Sequence, residues 1–149
     1  MKIKEIMSVD VVTIPMDAQL KAVKEIFDRV SFHHILVVEA NALCGVISDR
    51  DLLKALSPNI GTASETIKDT ATLNKRVHQI VTKKAITLKE NAGIYDAIAV
   101  FNQYNISCIP IIDDFQKPVG VLSWRDILKV IEQKKQAQVA KQNEEKNRQ

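Results

Sequence analysis

At 149 residues the chain can form one compact domain or two small fused ones. Apolar residues are 46% and charged residues 26%, ordinary for a globular protein, and no apolar run nears the roughly 18 residues of a membrane span. The net charge of +3 is scattered over lysines with no dense basic patch, which argues against nucleic-acid binding.

The first residues, 1–6, lack a long apolar core and a small-residue cleavage site, so no signal peptide is expected. A short element is expected over 4–7 and an extended piece over 11–14. Asp17 is a good N-cap type, and a helix is expected after it. Val23, Ile26, Phe27 and Val30 follow the i, i+3, i+4, i+7 spacing of a one-sided helix. Ile35-Leu36-Val37-Val38 is an unbroken apolar run, suited to a strand covered on both faces. A turn leads to a further strand over 43–47. Ser48 then caps a closing helix, with Asp49 and Asp51 in the first turn, where the helix dipole favours carboxylates.

The chain then repeats itself. An offset of 74 carries Ile6 to Ile80, Thr13 to Thr87, Ala18 to Ala92, Phe27 to Phe101 and Ile35 to Ile109. Past Asp113 the offset is 75, so that Gly45-Val46-Ile47-Ser48-Asp49-Arg50-Asp51-Leu52-Leu53 returns as Gly120-Val121-Leu122-Ser123-Trp124-Arg125-Asp126-Ile127-Leu128. The extra residue falls at Asp113-Asp114, where a hairpin tip accepts an insertion at little cost. The second copy reads as an element over 76–81, an extended piece over 85–88, and a helix after Asn91. That helix bears Ala97, Val100, Phe101 and Tyr104. Strands over 109–112 and 119–122 follow, then a helix from Trp124. The plan is β-α-β-β-α, twice. Residues 57–64 are rich in turn formers and read as a loop, 65–74 as partly helical, and 133–149 as a frayed helical extension or a disordered tail. The expected segments are repeat 1 over 1–57, a linker over 58–75, repeat 2 over 76–131, and the tail over 132–149.

Each Ser-x-x-Asp end is a strand-to-helix junction whose free amides suit an anion. Ser48 can add a hydroxyl to a phosphate and Arg50 a planar fork. A carboxylate at Asp51 would repel phosphate and is better suited to ribose hydroxyls. One such copy is an ordinary helix start. Two copies, each with a glycine three places ahead of its serine, point to a ribose-phosphate seat.

These motifs, with Ile-Leu-Val-Val-Glu and Ile-Pro-Ile-Ile-Asp ahead of them, resemble a tandem pair of cystathionine-β-synthase (CBS) domains, a Bateman module. The likeness covers residues 4–131, and 56–62 and 73–80 are similar to stand-alone bacterial modules of the acetoin-utilisation protein B type. The resemblance implies an α/β (α+β) fold of two pseudo-twofold-related halves packed through their sheets. It also implies two clefts for adenosine compounds such as AMP, ADP, ATP or S-adenosylmethionine. The first cleft would join Val46, Ser48, Arg50 and Asp51 to Thr82, Thr87, Ile106 and Ser107. The second would join Val121, Ser123, Arg125 and Asp126 to Ser8, Thr13, Phe32 and His33. The aspartates would hold ribose, serines and arginines would approach phosphate, and apolar residues would flank adenine. Asp49 is replaced by Trp124 and His33-His34 by Ser107-Cys108, so the clefts differ.

An enzyme would need a nucleophile and a base. His33 and His34 enter a strand, where neighbours point to opposite faces. Cys44 and Cys108 lie in apolar runs and read as free packing thiols in a reducing cytoplasm. No Cys/His pair has metal-ligand spacing, Trp124 reads as core, and the tail's lysines read as a solvated face. The expectation is a cytoplasmic, non-enzymatic regulatory module. It would need no cofactor, take an adenosine nucleotide as ligand, form a homodimer, and act on an unknown regulated protein. The alternative is a dimerisation scaffold with unoccupied clefts.

Overall fold

A computed structural model describes all 149 residues. The elements, in order, are β1 (Thr13–Ile14), α1 (Leu20–Arg29), β2 (His34–Glu39), β3 (Ala42–Ser48) and α2 (Asp49–Ala55), then α3 (Ile67–Ala71) in the linker. The second half has β4 (Leu88–Lys89), α4 (Ile94–Gln103), β5 (Cys108–Ile112), β6 (Pro118–Ser123) and α5 (Trp124–Asn147). Short 3-10 turns at Ile3–Glu5 and Val77–Gln79 precede the two halves. The β-α-β-β-α plan is therefore present twice, as two three-stranded sheets ordered β1-β2-β3 and β4-β5-β6.

In each sheet the outer short strand runs parallel to the middle one and the hairpin partner antiparallel. The first hairpin closes on Ala40-Asn41, both at positive φ, as a two-residue turn requires. The second takes the longer path from Asp113 to Lys117, with Gln116 at positive φ, which accommodates the repeat's extra residue. The tip is not free: the Gln116 carbonyl accepts from the Leu43 amide of the first half at 2.8 Å.

Side-chain alternation gives each sheet two buried faces. Ile35, Val37 and Ile47 pack with Leu20, Val23 and Leu52 of the helices, and Ile109, Ile111 and Leu122 pack with Ile94, Ala97 and Ile127. Leu36, Cys108, Pro110 and Ile112 occupy the opposite faces and are buried too. The halves pack through those faces, with pseudo-twofold symmetry.

The packed unit differs from the sequence repeat. Ile3, at the head of the first repeat, is fully buried in the second repeat's core, and Val77, at the head of the second, is fully buried in the first repeat's core. Burying either side chain is worth about 1.5–3 kcal/mol. The exchange of heads thus ties the halves together as firmly as a pair of core contacts.

Three expectations are corrected. The helices start at Leu20 and Ile94, capped by Gln19 and Gly93 and not by Asp17 and Asn91. Side-chain caps are not needed, because the exchanged heads supply carbonyls: Leu20 N donates to Lys75 O at 2.8 Å and Ile94 N to Met1 O at 3.1 Å. The extended pieces before them pair over only two residues each, Thr13–Ile14 and Leu88–Lys89. Lastly, Trp124 is not core but 46% exposed. The tail, for its part, is one helix continuous to Asn147.

Candidate functional site

At each Ser-x-x-Asp end the strand stops because the serine turns out of the sheet to cap a helix. Ser48 Oγ accepts from Asp51 N at 3.0 Å, and Asp51 Oδ2 accepts from Ser48 N at 2.9 Å. Ser123 and Asp126 repeat the box: Ser123 Oγ accepts from Asp126 N at 3.3 Å, and Asp126 Oδ2 accepts from Ser123 N at 2.8 Å and from the serine hydroxyl at 3.0 Å. In both boxes only Oδ2 of the aspartate is engaged, so Oδ1 is free to accept from another donor. Arg50 and Arg125 are exposed and make no ion pair.

The other repeat reaches each end through its exchanged head. Val46 and Thr82 exchange two backbone hydrogen bonds of 3.3 Å, and Val121 and Ser8 exchange two of 2.9 Å. Thr13, Leu36 and Val46 lie in register across the first sheet, and Pro110 and Val121 across the second, on the faces turned to the seam. Thr87 precedes β4 and is half-buried, as is Ile106, while Phe32 is exposed. No hydrogen bond joins these three to a Ser-x-x-Asp end.

The histidines divide as strand geometry requires. His33 Nδ1 donates to Asp49 Oδ2 at 2.9 Å, so this residue, assigned to the second cleft, lies against the helix end of its own half. That bond, with burial opposing it, holds the Asp49 carboxyl below its ordinary range. His34 Nε2 meets Ser107 Oγ at 3.3 Å across the seam. Burial pushes its pKa down; the His33 charge adds to this and the Asp49 and Asp51 carboxylates oppose it. Cys108 is buried, and burial pushes its thiol up to about 12, so it carries no thiolate at neutral pH.

Sequence reasoning missed what flanks Asp51. A depression of about 320 Å³ is lined by Asp51, Lys54, Ala55, Lys75 and Ile80. Ile80 comes with the exchanged head, and Lys75 Nζ donates to Ala55 O, the last residue of α2, at 3.0 Å. The repeat itself was the available signal, since Ile6 and Ile80 are twins, but nothing local tells that each serves the other half.

The family model described as CBS domain matches the chain twice, at residues 3–58 and 77–133. A solved structure described as acetoin utilization protein AcuB from Vibrio cholerae is 18% identical. It superposes with a TM-score of 0.75 over 94% of this chain and 96% of that one. The CBS domain pair of protein MJ0100, solved in complex with 5'-methylthioadenosine and S-adenosyl-L-methionine, is 24% identical. It gives a TM-score of 0.72 over 90% of this chain and 98% of that one. Among curated proteins, L-aspartate semialdehyde sulfurtransferase of Methanocaldococcus jannaschii is 25% identical over 134 residues, 89% of this chain but 24% of that protein. The chain thus spans about a quarter of that relative's length, and 36% of the next.

Proposed function

We propose that this chain, which belongs to the CBS domain family, is a non-enzymatic regulatory module that takes an adenosine compound where each Ser-x-x-Asp end meets the other repeat. The observation that carries this is the reciprocal pairing of Val46 with Thr82 and Val121 with Ser8. Residues of both repeats border each site, so a ligand held there favours one packing of the halves over another. Asp51 and Asp126 offer a free carboxylate oxygen to ribose, and Arg50 and Arg125 are unpaired and free to meet phosphate. The adenosine compounds bound by the MJ0100 pair support the ligand class. In this reading the module is a cytoplasmic homodimer and signals to a separate regulated protein.

A panel of AMP, ADP, ATP and S-adenosylmethionine in a thermal-shift assay tests it. A ligand at about 100 times its dissociation constant adds about 2.7 kcal/mol, a rise of roughly 5–10 °C for a chain this size. Asp51→Asn with Asp126→Asn should cut the rise to about half or less at the same ligand concentration, since a tenfold loss of affinity leaves about 1.4 kcal/mol. A flat response to all four sinks the reading. It would leave the dimerisation scaffold, which one observation favours: each serine and aspartate already satisfies the other without a ligand.

A further inference from the structure

Each exchanged head presses one side chain onto a glycine of the edge strand it meets, and the two side chains differ in chemistry. Val81 stands on Gly45, and its twin Met7 stands on Gly120. A Cβ added to Gly120 would lie 2.5 Å from Met7 Sδ and 3.0 Å from its Cγ. The thioether itself therefore fills the space that the glycine leaves open. Met7 also packs against the second half's core, which holds Ile3 from the same head. The next residue, Ser8, exchanges two backbone hydrogen bonds of 2.9 Å with Val121. One sulfur thus sits where the head, the edge strand and the core meet.

Met7 is half-buried, while Ile3 before it is buried and Ser8 after it is exposed. Its side chain lies at the margin of the core, within reach of a small oxidant from solvent. Met1 and Met16 are the other two methionines, and neither is among the atoms closest to Gly45 or Gly120. The cysteines are poor competitors. A thiol reacts as its thiolate, and burial pushes both thiols up, Cys108 to about 12. A thioether has no proton to lose and reacts at neutral pH.

We propose that Met7 is a modification site, where oxidation to the sulfoxide by hydrogen peroxide releases the first repeat's head from the second half. A sulfur lone pair attacks one peroxide oxygen, the O–O bond breaks, an S–O bond forms and water leaves. Sulfur gives up two electrons and the peroxide takes them. The product is polar. Its oxygen has no room at Gly120, and an apolar cluster offers it no donor. Putting that oxygen in water requires the side chain to leave the glycine, and the Ser8–Val121 pair then loses the packing beside it. Val81 has no sulfur, so the Val46–Thr82 pair is untouched. Oxidation therefore loosens the Ser123–Asp126 end and spares the Ser48–Asp51 end. Sulfoxide reductases reverse the change.

The test treats the full chain with hydrogen peroxide and locates added oxygen by peptide mass spectrometry. Met7 should gain one oxygen atom, and the melting temperature should fall by at least about 4 °C. Amide exchange at Ser8 and Val121 should quicken at least about tenfold, and at Val46 and Thr82 it should hold within about twofold. Met7→Leu, which roughly conserves volume, should lose most of the fall. Met16→Leu should keep it, which maintains the test if the first variant folds poorly. Met7 left unmodified when half-exposed Met1 is fully converted overturns the proposal. So does conversion of Met7 with unchanged exchange at Ser8 and Val121, or equal quickening at all four amides. The adenosine reading stands or falls apart from these outcomes.

Discussion

Gly45 lies against Thr82 so closely that a Cβ on the glycine would stand 2.9 Å from the Thr82 carbonyl oxygen and overlap the Val81 side chain. Gly120 has the same relation to Ser8, with a Cβ 2.9 Å from its carbonyl oxygen and 2.5 Å from Met7 Sδ. These are the glycines that precede each Ser-x-x-Asp end. They admit the exchanged heads to the edge strands.

Gly45→Ala and Gly120→Ala should each destabilise the fold by about 1–3 kcal/mol, as overpacking does. Gly93→Ala is the control, since a Cβ there would meet only Asp96 Oδ2, at 3.4 Å. Urea unfolding followed by circular dichroism checks this. Alanine at 45 or 120 that costs no more than alanine at 93 would refute the account of the exchange.

This relation marks where sequence reading stops. The repeat, the hairpin with its extra residue, and the capped strand ends were legible, because each is a local pattern of residue types. The exchange was not, because Ile3 and Val77 look alike, and either core would accept either side chain. The same exchange displaced the helix starts. Asp17 and Asn91 are the better capping residues, yet Leu20 and Ile94 begin the helices, since Lys75 and Met1 carbonyls from the exchanged heads meet their amides. The motif's serines and aspartates were legible, but the depression beside Asp51 was not: Lys54 recurs as Lys129 just past the motif with nothing local to mark it, and Lys75 lies in the linker.

The boxes make some substitutions ambiguous and others informative. Ser48→Ala and Ser123→Ala should each cost about 1 kcal/mol by loss of the cap, and the two should add, since they sit in separate boxes. Asp51→Ala removes both a cap acceptor and the proposed ribose ligand. Asp51→Asn keeps an oxygen for Ser48 N, so its unliganded melting temperature should stay within about 2 °C of wild type for a cost under about 0.5 kcal/mol. Its affinity for an adenosine compound should fall about tenfold or more. A fall in melting temperature as large as that of Asp51→Ala would mean that the charge itself stabilises the cap.

Acidification should loosen the seam at His34. Its folded pKa lies below the ordinary 6.5, chiefly through burial. The unfolded chain therefore takes up the proton first. The contribution of neutral His34 is complete above about 6.5 and is lost as the pH falls from there through the folded pKa. Asp49 also loses its contribution on acidification, but only below its ordinary 3.8 and down through its lowered folded value. Between pH 7 and 5 the histidine dominates this pair. Its slope cannot exceed about 1.4 kcal/mol per pH unit for one proton. His34→Gln should flatten the stability profile over that range, measured by urea unfolding at each pH. An unchanged slope would show that the Ser107 contact survives protonation.

The far half of α5 should contribute little to stability. Its buried residues are Ile127 and Val130, and every residue from Ile131 onward is exposed. Val139 is the one large aliphatic residue beyond Ile131, and it is 47% exposed. At 24 residues the helix is about 36 Å long. Its outer turns rest on backbone hydrogen bonds alone, and such turns are marginal in water. Deleting residues 134–149 should move the melting temperature by less than about 2 °C, a change under roughly 1 kcal/mol. Val130→Ala, which cuts into the core, should cost about 2 kcal/mol. Amide exchange should be slow at Ile127 and fast beyond Glu132. A truncated chain that melts more than about 5 °C lower would mean that the outer turns are buried in solution, and the exposed face from Leu128 to Val139 would then be the surface that buries them.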